Sequence, residues 1–146
     1  MTIQKNMEKY EFHNAGNALY SFIWEDFCDN YIELSKANIS SNTTKSVLLT
    51  TLEQILKMLH PFMPYVTEEI YSSLPIGKEI SIMTSKYPEY DKKLVFDDIE
   101  ELIDKVIIDV TAIRNIKATN KITKEAYVSI KTDEKLYNIY DTALKI

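Results

Sequence analysis

LHPFMPYVTEEIYSSLP, residues 59–75, interrupts a chain whose long segments otherwise carry a helical period. Two of the four prolines in the sequence, Pro61 and Pro64, stand three residues apart near its centre. A proline inside a helix removes a backbone hydrogen bond and clashes with the preceding turn, at a cost of about 3 kcal/mol or more. The pair therefore reads as a boundary. His60, preceding Pro61, is expected to leave the α region, and Pro64 has the fixed φ that suits the first turn of a new helix running to about Ser73. Pro75 and Gly77 then close that helix, so the stretch is expected to form a corner between two helices.

Helical periodicity extends outward from this corner on both sides. Upstream, Val47, Leu48, Thr51, Leu52, Ile55, Leu56 and Leu59 share one face, and Ser41, Asn42 or Thr43 is placed to cap their helix. Before that, from Ile3 to about Lys36, Phe12, Ala15, Leu19, Phe22, Ile23, Phe27, Tyr31 and Leu34 recur at three- and four-residue steps, and only Gly16 weakens the expected long helix. Downstream, ISIM (Ile80 to Met83) reads as a brief extended piece. From Asp97 to about Ala118 the helical period returns, with acids at the amino end and Arg114 and Lys117 at the carboxyl end, as the helix dipole favours. AYVSIKT (Ala126 to Thr132) alternates like a strand, and Asp133 to Leu144 reads as a last helix. The expected architecture is mainly α: a helical bundle over residues 1–120 with a small α/β appendage over 121–146.

Composition limits the chemistry. With 146 residues, 45% of them apolar, the chain can bury one real core, and one compact unit is expected. Only two glycines occur, against an ordinary usage of about 7%, and neither GxGxxG nor GxxxxGK[ST] is present. The single Cys28 can form no internal disulfide, no 18-residue apolar run is present, and a reducing cytoplasmic setting without a membrane is expected. The net charge of -5 gives no general basic footprint, so contact with a nucleic acid would run through a local patch. His13 and His60 lack Cys or acidic partners at ligand spacing, Cys28 lacks an activating base, and Glu68 and Glu69 point different ways on a helix. No catalytic group and no metal site is expected.

Four blocks carry a more specific signal: ALYSFIWEDFCDNYIELSK (Ala18 to Lys36), the proline corner, SIM with YP (Ser81 to Met83, Tyr87, Pro88), and VTAIRNIKA (Val110 to Ala118). In this order they resemble the helical anticodon-binding domain of valyl-tRNA synthetases, which are class I aminoacyl-tRNA synthetases, over about residues 8–130. The chain departs from that pattern at Asn30 and Tyr71, where tryptophan is frequent, and in TNKITKEA, which lacks the usual prolines. The resemblance implies a tRNA anticodon-binding domain that positions tRNA(Val) for valine aminoacylation and is itself non-catalytic. It further implies, as partner, a catalytic domain in the same polypeptide; ATP would serve that full-length enzyme, with no cofactor in this segment and no role for DNA. The equivalent domain of an isoleucyl- or leucyl-tRNA synthetase, and a structural helical protein-interaction module, are the alternatives.

Candidate contact residues fall in two groups. On a wheel of 100° per residue, Leu19, Ile23, Phe27, Tyr31 and Leu34 share one side of the first helix, and Asn14, Glu25, Asp29, Ile32 and Lys36 fall opposite. Ile32 is the apolar exception there. By the resemblance its position lies against anticodon bases, with Asp29, Glu33 and Lys36 around it; packing within the bundle is the other reading. The second group is basic: Arg114, Lys117, Lys121 and Lys124 lie in a stretch, Val110 to Lys124, that has no acidic residue. Phosphate contact and, for Arg114, dipole compensation with an internal ion pair are both open. Trp24 and Tyr31 are read as packing residues rather than base-stacking ones.

Overall fold

A computed structural model describes residues 2–36, 38–75, 81–122, 127–132 and 134–144. The backbone packs as two units, Met1–Asp91 and Lys92–Ile146. The division falls at Asp91, where the reading above expected a boundary at residue 120, because the third long helix packs on the segment that follows it.

In the first unit, α1 (Thr2–Glu8) and α2 (Phe12–Ser21) are separate helices. The expected continuous helix breaks at Tyr10, whose φ of 62° is left-handed. Tyr10 N donates to Met7 O (3.0 Å) and Glu11 N to Asn6 O (2.8 Å), the paired closure that satisfies the last carbonyls of a helix. Glycine usually fills that position, so apolar spacing carries no sign of this stop. Beyond Ser21 the helix continues as a π-helical segment, Phe22–Ile32, then as α3 (Glu33–Lys36). α4 (Asn42–Leu59) starts after Ser41, within the expected capping stretch, although the Ser41 side chain makes no cap hydrogen bond.

The corner is built differently from the expectation in one respect. His60 remains in the α region (φ -54°, ψ -40°), with its N–H donating to Leu56 O at 2.9 Å. The chain turns instead at Met63 (φ -137°, ψ 65°), the residue before Pro64, and α5 (Pro64–Ser73) begins on that proline. Thr67, fully buried, donates its hydroxyl proton to Met63 O (2.8 Å). His60 Nδ1 lies 2.7 Å from the same hydroxyl oxygen and, with that proton already used, donates its own. One threonine thus ties the end of α4 to the start of α5. α5 ends at Leu74, which is extended before Pro75; Gly77 lies outside the described residues.

Behind the corner, Leu56, Tyr71 and Ile82 are buried together, with Leu52 and Leu74 against them. Ile82–Thr84 is a single 3-10 turn rather than the extended piece expected of ISIM; Ile80 lies outside the described residues. The turn is held by Glu68, which accepts from Ser81 Oγ (2.9 Å) and Ile82 N (3.3 Å), while Glu69 is exposed. The two adjacent glutamates point apart, as expected. Phe62 of the corner reaches Gly16 on α2, where an added Cβ would sit at an ordinary 3.7 Å from the ring.

In the second unit, α6 (Asp97–Thr119) runs close to its expected span and ends on another left-handed residue, Lys121 (φ 52°), with Ile122 N donating to Lys117 O and Lys121 N to Ala118 O. Residues 127–132 are not strand, and no strand occurs among the described residues, which corrects the expected α/β appendage; Ala126 is outside them. α7 (Glu134–Leu144) packs Leu136, Tyr140 and Ala143 on α6, where Val106 and Val110 are buried. An i, i+3/i+4 stripe on each helix makes this pairing and outweighs the local alternation of AYVSIKT.

Tyr140 donates its phenolic O–H to Asp109 across this pair. That hydrogen bond, then burial and the carboxylate charge, push the phenol above its ordinary value of 10.0. A phenol whose folded value is raised contributes stability that is fully present below pH 10 and lost as pH rises through the folded value. Tyr140→Phe should lower stability by about 1 to 3 kcal/mol at pH 8, the range for a hydrogen bond to a charged group. It should also flatten the loss of stability above pH 10 relative to the parent, in urea melts followed by circular dichroism.

Candidate nucleic-acid interface

The π-helical segment decides what the first candidate face looks like. In such a segment each N–H bonds to the carbonyl five residues back, so a turn holds more residues than the 3.6 of an α-helix and side chains depart from the placements of a 100° wheel. Phe27 is buried, and Phe22 and Ile32 are half-buried. Ile32 is therefore partly covered, not a fully exposed apolar residue on the polar side that the uniform wheel gave it. Asn30 follows the same five-residue step with its side chain, donating from Nδ2 to Glu25 O at 2.8 Å. Segments of this kind are rare and concentrate at functional sites. Nothing in the apolar spacing announces it, because three- and four-residue steps fit an α-helix equally well.

Around Ile32, Asp29 is exposed and Glu33 is half-buried. Lys36 is exposed and its ammonium bridges Glu33 within the helix. An exposed pair of this type contributes at most about 1 kcal/mol, so the ammonium can be exchanged to an external anion at small cost. Three of the four residues thus present polar groups at one end of the helix, and Ile32 supplies an apolar flank.

The second group sits on the last turns of α6. Arg114 donates from Nη2 to Ala143 O (3.4 Å), a carbonyl in the last turn of α7. It bonds a backbone carbonyl rather than a carboxylate, a contact between helices that neither reading of Arg114 had named. Lys117 and Lys121 are exposed, and among the described residues neither ammonium group makes a hydrogen bond or ion pair. Lys124 lies outside the described residues. The structure does not bring the first group and these lysines into one packed unit.

Trp24, read as a packing residue, is exposed instead. It is 57% and the neighbouring Tyr20 67% exposed, and their rings lie parallel, 3° apart in plane with centroids at 6.5 Å. Tyr31 does pack, half-buried and stacked on Phe27 at 6.1 Å. Cys28 is half-buried. Among the described residues no group of His, Cys, Asp and Glu could hold a metal ion, and no helix is long and apolar enough to cross a membrane.

Arg114→Ala should lower the stability of the α6–α7 pair by about 0.5 to 1.5 kcal/mol, the ordinary value of one hydrogen bond. Lys117→Ala, one turn on and exposed, should stay within about 0.5 kcal/mol of the parent. Hydrogen exchange of the amides in α7 measures both.

Residues 1–132 match the family described as the anticodon-binding domain of tRNA ligase. The valine–tRNA ligases of Staphylococcus aureus strains JH9 and Newman are each 38% identical to the chain over 142 residues, covering 92% of it and 16% of their own length. The chain thus spans about a sixth of these relatives. With a helical fold, a match over most of its length and relatives of this kind, the chain belongs to the anticodon-binding domain family of the tRNA ligases and is homologous to the domain in valine–tRNA ligases.

Proposed function

We propose that this domain binds the anticodon arm of valine tRNA on behalf of a valine–tRNA ligase and performs no chemical step itself. The observation that carries this reading is the match of residues 1–132 to the anticodon-binding family, together with relatives named valine–tRNA ligase. The absence of any glycine-rich phosphate loop in the sequence agrees with a positioning role. ATP and valine are then handled by a catalytic domain of the same polypeptide, the domain's second partner, in the cytoplasm. The isoleucyl and leucyl alternatives have no comparable support among the named relatives.

Within the domain, roles divide by chemistry. Lys117 and Lys121 supply exposed ammonium groups for phosphates, and Lys36 can join them by leaving Glu33. Asp29 and Glu33 accept hydrogen bonds from base amino groups, and Ile32 offers an apolar edge to a base. Phosphate contacts set position and base contacts set sequence, so the two groups have separable signatures.

The test is a titration of the chain with the anticodon stem–loop of valine tRNA at several salt concentrations. With three or four phosphate contacts the slope of log K against log salt should be roughly -2 to -4. Lys117→Ala combined with Lys121→Asn, which keeps a residue tolerant of left-handed backbone, should reduce that slope by about 1.4 without changing the preference for the valine anticodon over an altered one. Asp29→Ala should do the reverse. Binding that ignores both salt and anticodon would contradict the proposal.

A further inference from the structure

We infer that the exposed Tyr20–Trp24 pair is a stacking site for an unpaired RNA base; this deepens the function proposed above and rests on it. Tyr20 and Trp24 are each more than half exposed and hold their rings parallel, so a broad π surface faces solvent. Burying aromatic rings of this size is worth several kcal/mol, and parallel exposed rings are the geometry on which planar ligands stack. The polar residues Asn17, Ser21 and Glu25 surround the pair and are exposed, which frames a small apolar platform rather than one edge of a buried core. Trp24 lies in the first turn of the π-helical segment, and Asp29, about one turn further on, is also exposed.

The charge around the platform selects the kind of ligand. No lysine or arginine occurs between Tyr10 and Ser35, whereas Glu11, Glu25, Asp26, Asp29 and Glu33 do. Such a surface repels a phosphate backbone, so it suits a base turned out from its own phosphates, with the ring face on Trp24 and Tyr20. The carboxylate of Asp29 is a hydrogen-bond acceptor without a proton to give, and it favours a base with an exocyclic amino group, as cytosine has at N4. A protein surface docked on the same rings is the competing occupant; it would have to leave these carboxylates unpaired or supply cations for them.

Trp24 is the only tryptophan in the chain, so its fluorescence reports the site directly. Adding the anticodon stem–loop of valine tRNA should quench Trp24 emission and shield it from acrylamide. Tyr20→Ala should weaken binding by about 5- to 150-fold, the range for losing one base stack, and Trp24→Ala should do the same by anisotropy of a labelled stem–loop, while Trp24→Phe retains most affinity. Both positions are exposed, so the variants should keep the parent's circular dichroism melt; Tyr20→Ala keeps the reporter if Trp24→Ala does not fold. Saturable binding by the parent that leaves Trp24 emission unchanged and is unaffected by Tyr20→Ala overturns the stacking site alone. A Trp24 already shielded from acrylamide in the free chain shows a protein surface on the rings and also overturns it. Absence of any stem–loop binding by the parent overturns both this inference and the proposed function.

Discussion

The hydroxyl of Thr67 is the point on which the first unit turns. A chain forced out of helix by Pro61 and Pro64 has to re-form a helix within a few residues, and the start of α5 has no side-chain cap to help it. Thr67 occupies that gap by bonding Met63 O and receiving the Nδ1–H of His60, so the last turn of α4 and the first turn of α5 share one hydrogen-bonded centre. Inside a fully buried site each of these bonds is protected from exchange with water, and an orphaned partner would be costly. With the corner fixed, Leu56 and Tyr71 face each other, Glu68 is positioned to hold the Ser81 turn, and Phe62 reaches Gly16 on α2.

Much of this was legible in the sequence, for definite reasons. Prolines act on the backbone locally, so Pro64 marked the start of α5 and Pro75 its end wherever the rest of the chain went. Long amphipathic periods identified α4 and α6, which bury Ile55 with Leu56 and Val106 with Val110. The family resemblance, carried by the blocks around Trp24 and the corner, agrees with the match over residues 1–132. The missed features share a different cause. His60 keeps an α conformation before a proline with its backbone bond to Leu56 intact and its ring held by Thr67 of the next helix, a tertiary contact that local propensity does not include. The stops at Tyr10 and Lys121 use left-handed residues that are not glycine, which no composition rule flags.

The candidate site was less legible than the fold because its geometry depends on helix pitch. A change from an α to a π step over Phe22–Ile32 rotates every later side chain relative to a uniform wheel, so faces drawn at 100° per residue do not carry through it. Exposure then separates groups that hydrophobicity alone had merged: Tyr31 packs and Trp24 does not. At the other candidate patch, Arg114 resembled the lysines in charge, yet its contact with the end of α7 gives it a structural task that they lack. A positioning domain can keep such roles apart, with packing, phosphate and base contacts carried by different side chains.

The central claim, that one buried hydroxyl organises the corner, is tested most directly by Thr67→Val, which preserves shape and removes the oxygen. Thermal unfolding of the variant should show a loss of about 1 to 3 kcal/mol, because His60 Nδ1–H is left half-buried without its partner, and Thr67→Ser should recover most of it. If Thr67→Val melts within about 0.5 kcal/mol of the parent, the corner is held by its prolines and apolar packing alone, and the hydroxyl does not have the role assigned to it here.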